Sequence, residues 1–232
     1  MSQVVFMPGF DGDAALRRDF VGEMSRRHEV RAVSYPNHPL GSLDEYRVRA
    51  MGEAPVDWEP ALVAESFSGL VATRWAAVDP RIRAVVLCGA FASNPLGLAT
   101  RLGASLPGLV KLGPAVFDNA VRLSGDRRRR RWSSELTRTM ANLRDEVVAE
   151  RLRLIADEDT SSMLSALRVP VVIVHFTGDM VISDAAHAHL VAACREPHVV
   201  RLEGPHFGLE TRPRECALAI DAALRSVVPS WS

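Results

Sequence analysis

The chain has 232 residues, of which 28 are Lys or Arg and 28 are Asp or Glu, giving a formal net charge of zero. That balance excludes the strongly basic field needed for general nucleic-acid binding or adsorption to an anionic membrane. An apolar fraction of 47% suffices for one α/β domain over residues 1–232. The amino end lacks a basic n-region and an Ala-x-Ala pattern, and no apolar stretch approaches the ~20 residues that a helix needs to cross a bilayer. Cys88, Cys194 and Cys216 form no Cys-x-x-Cys pair, so the thiols should be free in a cytoplasmic protein without stable membrane insertion; no metal or cofactor is expected.

In chain order, short β-branched runs alternate with longer amphipathic stretches, the pattern of parallel strands joined by crossover helices. Strands are expected at residues 3–7, 30–34, 61–65, 84–88, 171–175 and 199–202. Helices are expected at 14–27, 43–52, 67–78, 184–194 and 214–227. One interval breaks the alternation. Residues 91–167 separate the fourth and fifth strands by far more than one crossover helix requires, and they are rich in Leu, Arg and Gly-Pro breaks. An inserted helical cap is expected there.

Chemistry-bearing residues fall at the carboxyl ends of these strands. After the first comes Pro8-Gly9-Phe10-Asp11-Gly12-Asp13, a glycine-rich turn exposing backbone N–H groups; a plain strand–helix turn has the same composition. After the third, Ala61-Leu62-Val63-Ala64-Glu65 runs into Ser66-Phe67-Ser68-Gly69 and a helical pattern. A nucleophilic serine on a strained strand–helix turn needs small residues two before and two after it, and Ala64 and Ser68 are small; a serine capping an ordinary helix is the plainer alternative. After the fifth, the apolar run Val171 to Val174 delivers Asp179, with Asp184 the better candidate for capping the next helix. After the sixth comes His206, in Gly204-Pro205-His206-Phe207-Gly208.

The order serine, acid, histidine is sufficient for nucleophilic catalysis. His206 takes the Ser66 proton, Asp179 fixes the imidazole tautomer, and the histidine returns the proton to the leaving group. The oxyanion that forms needs two preorganised donors, each worth ~3 kcal/mol. The N–H groups of Phe10 and Phe67 are the candidates.

Together these segments resemble the α/β-hydrolase superfamily. Pro8-Gly9-Phe10-Asp11-Gly12, Tyr35-Pro36, Ser42-Leu43-Asp44-Glu45-Tyr46, Ala64-Glu65-Ser66-Phe67-Ser68-Gly69 and Phe91-Ala92-Ser93-Asn94-Pro95 are similar to small bacterial members of it. The resemblance implies an α/β-hydrolase fold of about six mostly parallel strands flanked by helices, without the two first strands of larger relatives and with a cap after the fourth strand. It also implies a Ser-Asp-His triad. Three positions depart from the common pattern: Pro8 replaces a histidine, and Ala64 and Ser68 replace the elbow glycines.

The expected activity is a serine hydrolase cleaving a small-molecule carboxylic ester or thioester through an acyl-enzyme. An esterase for acyl-carrier or phosphate-bearing substrates is the alternative, suggested by the run Arg127, Arg128, Arg129, Arg130 and Arg131, for which a solvated helical face with ion pairs is the plainer explanation. Cofactor-free haloperoxidases and carbon–carbon bond hydrolases share the triad. A non-catalytic ligand receptor on the same fold is the reading from outside the enzymes. Residues 96–123 and Phe10, Phe67, Phe91 and Phe207 are candidate walls of an apolar acyl pocket. His187 and His189 stand two apart on an expected helix and so face different sides, which argues against zinc. Cys88 reads as a small buried hydrophobe.

Overall fold

The computed structural model describes residues 2–111 and 127–231, the side chains of 127–130 and 229 excepted. Six strands form one parallel sheet in the order β2-β1-β3-β4-β5-β6. They are β1 (Ser2–Met7), β2 (His28–Ala32), β3 (Ala61–Glu65), β4 (Ala84–Cys88), β5 (Val171–Phe176) and β6 (His198–Leu202). The register aligns Phe6 with Val63, Val63 with Val86, and Val86 with Val172. The strand ends carrying Met7, Glu65, Cys88 and Phe176 therefore open at one edge.

The central strands β3 and β4 are buried along their whole length, as a parallel sheet covered on both faces requires. Alternation divides the core. Val5, Met7, Leu62, Val85 and Ile173 face a layer containing α2 (Leu43–Met51), α3 (Ser68–Val78) and α8 (Asp184–Ala193). Val4, Phe6, Val63, Val86 and Val172 face α1 (Arg18–Ser25) and α10 (Pro213–Val227), which contribute Phe20, Met24, Ile220 and Leu224.

Between β4 and β5 lie α4 (Leu98–Ser105), α5 (Arg127–Asn142), α6 (Asp145–Asp157) and α7 (Ser161–Ala166). Trp132, Leu136 and Met140 of α5 pack with Val147, Val148 and Leu152 of α6 and with Leu16, a separate apolar cluster. The two ends of the insert are tied together. Ser93 bridges Asp159, and the Thr160 N–H and Oγ1 donate to the Ala92 carbonyl at 2.8 and 2.9 Å. Residues 112–123 of the expected apolar stretch lie outside the described residues, as do the side chains of Arg127 to Arg130. Among the described residues no helix is long and apolar enough to cross a membrane.

Several boundaries differ from expectation. β2 begins and ends two residues earlier, because its ladder starts at the Ser2 and His28 pair and Tyr35 N–H turns away to the Gly12 carbonyl at 2.9 Å. The helix expected over 14–27 is a 3-10 turn, Ala14–Arg17, followed by α1. Asp13 caps the turn by accepting from Ala15 N–H, and Arg17 at its end is buried in ion pairs. A short α9 (Gly208–Thr211) precedes α10, whose first residue is Pro213, a position where a missing N–H costs nothing. The cap of α8 is Ser183, which accepts from Ala186 N–H, and Asp184 sits inside the first turn.

Candidate active site

Ser66 lies between the end of β3 and the start of α3 with φ +49°, a left-handed conformation that costs a non-glycine residue roughly 1–2 kcal/mol. The turn is held by Ser66 N–H donating to the Cys88 carbonyl and Gly69 N–H donating to the Ser66 carbonyl, both at 2.9 Å. Close approach of helix to sheet is satisfied one residue later than the motif suggests. A Cβ on Gly69 would stand 2.7 Å from the Ala90 Cβ. Ser68 instead makes polar contacts: its hydroxyl donates to the Pro8 carbonyl and lies 2.8 Å from the Tyr35 hydroxyl. The serine in place of an elbow glycine thus ties the first loop to the elbow.

Ser66, His206 and Asp179 lie in hydrogen-bonded sequence. Ser66 Oγ is 3.1 Å from His206 Nε2, and His206 Nδ1 is 2.7 Å from Asp179 Oδ2. The other oxygen, Asp179 Oδ1, accepts the N–H groups of Val181 and Ile182 at 2.7 and 2.8 Å. With a carboxylate oxygen facing it, Nδ1 carries the ring proton, leaving Nε2 to accept from the serine. All three side chains are buried. The Asp184 carboxylate is almost fully exposed, 3.8 Å from His175.

Gly89, just past β4, backs this histidine. Its φ is +53°, and a Cβ there would meet His206 Nδ1 at 3.2 Å, Cε1 at 3.3 Å and Asp179 Oδ2 at 3.5 Å. Neighbours at that range must give by a few tenths of an ångström; if His206 acts as the base, Gly89→Ala is expected to lower turnover of a cleaved ester by up to about 10-fold, measured as kcat. An unchanged kcat would show that the histidine does not depend on this contact.

The loop after β1 is anchored peptide by peptide. The Pro8 carbonyl accepts from Ser68, Gly9 N–H donates to Glu65 Oε2 at 3.1 Å, and the Gly9 carbonyl accepts from Gly12 N–H at 3.1 Å. The Phe10 carbonyl accepts from Arg151 Nη1 at 2.6 Å, and the Gly12 carbonyl from Tyr35 N–H. Among the described residues the N–H groups of Phe10 and Phe67 have no acceptor in the protein. They are the two amides expected to serve an oxyanion.

Beneath this loop is a buried ionic cluster. Arg17 Nη1 donates to both oxygens of Asp11 at 2.7 Å, and its Nε lies 2.6 Å from Glu65 Oε2 and 2.9 Å from Glu210 Oε1. The Nε contacts are ion pairs at poor hydrogen-bond angles. One guanidinium cannot neutralise three carboxylates. Burial, reinforced by Glu65 and Asp11 and opposed by Arg17, pushes the Glu210 carboxyl well above its usual range. Above an unfolded pKa of about 4.3 the unfolded carboxyl therefore binds fewer protons than the native one, and stability falls as pH rises. Glu210→Gln removes that slope. Its Tm should exceed that of the parent protein by a margin that grows from about pH 5 to pH 8 and vanishes near pH 4. A margin independent of pH would mean that Glu210 is ionised in the native protein.

A cavity of about 250 Å³ opens on Ser66 and His206, with Phe91, Leu96, Leu136, Met140, Ile182 and Phe207 among its walls. Phe91 and Phe207 thus lie where a pocket wall was expected, and Phe10 also lines the cavity. Phe67 is a correction: its side chain is fully buried beside Tyr46 and Tyr35, at ring separations of 5.2 and 6.3 Å, because the elbow directs it into the core. Trp132 of α5 packs on Phe207 at 4.8 Å, and Phe207 on His206 at 5.3 Å. Elsewhere, His187 stacks on His175 at 3.8 Å while His189 lies 3.2 Å from the Ser161 hydroxyl. Cys88 is fully buried, and burial raises its thiol pKa well above normal.

Sequence reasoning missed Arg17, Glu65, Asp11, Glu210, Arg151 and Gly89. Glu65 carried a usable signal, a charge closing a strand that is otherwise apolar. The buried arginines carried none.

The model of the Alpha/beta hydrolase family matches residues 4–219. A pimeloyl-[acyl-carrier protein] methyl ester esterase from Aromatoleum aromaticum is 31% identical over 110 residues, 46% of this chain and 44% of that protein, so the match spans under half of that relative. Among solved structures, a hydrolase from Pseudomonas aeruginosa PA01 superposes with a TM-score of 0.81 at 14% identity, covering 96% of this chain and 89% of its own. A thermophilic esterase from Thermogutta terrifontis superposes with a TM-score of 0.78 at 17% identity, covering 98% and 91%.

Proposed function

The chain belongs to the alpha/beta hydrolase family, and from that premise we propose that it is a serine hydrolase cleaving carboxylic esters or thioesters through an acyl-enzyme. The observation that carries this reading is the line from Asp179 through His206 to Ser66 at the floor of an apolar cavity. Ser66 Oγ attacks the carbonyl carbon as its proton passes to His206 Nε2. The negative charge on the carbonyl oxygen is met by the N–H groups of Phe10 and Phe67. Collapse of the tetrahedral species breaks the ester or thioester bond, and the proton on His206 goes to the departing alkoxide or thiolate. Water then repeats the sequence against the acyl-Ser66 bond, with His206 again as base.

The cavity supports a small or medium acyl group. Its volume of about 250 Å³ lies below the ~300–1,000 Å³ of sites for drug-sized ligands; Leu96, Leu136, Met140, Leu152, Ile155 and Ile182 form an apolar wall, and the charged lining residues Asp11, Arg17 and Glu65 are paired with one another. A small or medium, uncharged acyl chain fits that wall. In a series of p-nitrophenyl esters and acyl thioesters, kcat/KM should rise from acetyl to a medium straight chain and fall for long chains. A preference for long chains, or for acyl groups ending in a carboxylate, would overturn the assignment of this cavity as the acyl site.

A second reading, an esterase for substrates held on an acyl carrier, is favoured by the 31% identity to a pimeloyl-[acyl-carrier protein] methyl ester esterase. Arg131, whose side chain is described, is largely exposed and pairs with Glu135 at 3.1 Å, as on a solvated face. Carrier-linked acyl groups belong in the same substrate series. Turnover confined to them would favour this second reading.

A further inference from the structure

We propose that Arg151, on helix α6 of the insert, is a positioning residue for the oxyanion hole. The proposal rests on the serine-hydrolase reading and gives a role to a residue that does not line the substrate cavity.

Arg151 is fully buried. Its Nη1 donates to the Phe10 carbonyl at 2.6 Å and its Nε to the Tyr46 hydroxyl at 3.0 Å. The guanidinium carbon lies 5.7 Å from the Tyr35 ring centroid and 5.5 Å from that of Tyr46. The loop makes room for it: Gly12 has φ +77°, and a Cβ there would stand 2.7 Å from Nη1 and 2.8 Å from Nη2. Every other anchored carbonyl of the loop is held by the loop itself or by the strand-and-helix core, through Ser68, Gly12 and Tyr35. Among these carbonyls, that of Phe10 alone is held from the insert.

Charge sharpens the contrast with Arg17. That residue faces three carboxylates, whereas among the described residues Arg151 has no carboxylate partner and its Nη2 has no hydrogen-bond acceptor. Burying an unneutralised cation is costly, and the aromatic faces of Tyr35 and Tyr46 offset part of that cost. An apolar side chain would pack here more cheaply. What the guanidinium adds is a fixed Phe10–Asp11 peptide, one Cα away from the Gly9–Phe10 amide that meets the developing oxyanion, and a positive charge with no carboxylate ion pair of its own among the described residues, inside a site where charge interactions are strong.

Arg151→Met and Arg151→Lys in the full-length protein test this, with three readouts: the rate constant for phosphonylation of Ser66 by a fluorophosphonate, kcat and KM per labelled site for one p-nitrophenyl ester, and Tm. Arg151→Met is expected to lower kcat by roughly 10- to 100-fold, less than the ~100- to 1,000-fold cost of removing a hole donor itself. The phosphonylation rate should fall in parallel while KM stays within ~3-fold. Arg151→Lys, which keeps the charge and loses the fork, should fall between. A merely structural role would lower Tm and the number of labelled sites while leaving kcat per labelled site unchanged, and that result overturns the proposal. If Arg151→Met does not fold, an unchanged kcat per labelled site in Arg151→Lys overturns it as well. Failure of the unmodified protein to label at Ser66 would overturn the hydrolase reading itself, and with it this role.

Discussion

Replacing Ser66 with alanine is expected to lower turnover of any cleaved ester by at least about 10⁴-fold while leaving Tm nearly unchanged. The large effect follows from the absence of a substitute nucleophile. The nearest hydroxyl in the elbow, Ser68, is fully buried and committed to the Pro8 carbonyl and the Tyr35 hydroxyl. What should survive is the contribution of binding and of the amides proposed to meet the oxyanion. The small stability effect follows from local geometry. The hydrogen bonds that hold the turn use the Ser66 backbone, and the hydroxyl is hydrogen-bonded to His206. Alanine bears the same left-handed strain at φ +49°. Loss of activity with loss of fold would show instead that the hydroxyl is structural. Turnover within about 10-fold of the parent would remove Ser66 from the mechanism.

His206→Ala should be comparably disabling, again by about 10⁴-fold or more, since no other described base lies within hydrogen-bond distance of Ser66 Oγ. Asp179→Asn should approach that loss by a subtler route. Asp179 Oδ1 already accepts two backbone N–H groups and Oδ2 faces His206 Nδ1. An asparagine can turn its oxygen to the two amides only by turning its NH₂ to the histidine. The ring then takes the tautomer with Nδ1 unprotonated, and Nε2–H can no longer accept the serine proton, a change worth ~10⁴-fold in kcat where it has this form. The fold is spared because both amides keep their acceptor. Asp184→Asn, by contrast, alters an exposed carboxylate in the first turn of α8 and should leave kcat/KM within roughly 2- to 3-fold. The reverse ranking of the two aspartates would reassign the acid.

The six strands and their order of appearance were legible because a parallel sheet buried on both faces demands uninterrupted apolar, β-branched runs, as in Val85 to Leu87 of β4 and Val171 to Val174 of β5. The chain segments carrying Ser66, Asp179 and His206 were legible for a related reason: each closely follows a strand, and parallel strands place their carboxyl ends along one edge. The exact edges of β2 and of the first helix were not, since both answer to long-range partners. Tyr35 leaves the ladder to bond Gly12, and Arg17 ends its turn inside a cluster assembled from Asp11, Glu65 and Glu210. Nothing local distinguishes Arg17 or Arg151 from the other basic residues among the 28, because burial of a charge is decided by partners distant in the chain. Ser68 shows the converse. Its departure from a glycine motif looks like a weakness in sequence and is, in the structure, a hydrogen-bonded tie between the elbow and the loop after β1.

The central claim is that Ser66 is a nucleophile activated by His206. Its most direct test is peptide mapping, by mass spectrometry, of the unmodified protein after reaction with a fluorophosphonate. The expected result is one adduct, on Ser66, absent from Ser66→Ala and strongly slowed in His206→Ala. An adduct on Ser68 would contradict the elbow assignment, and a protein that takes up no label at all would contradict the hydrolase reading in favour of a ligand receptor built on the same fold.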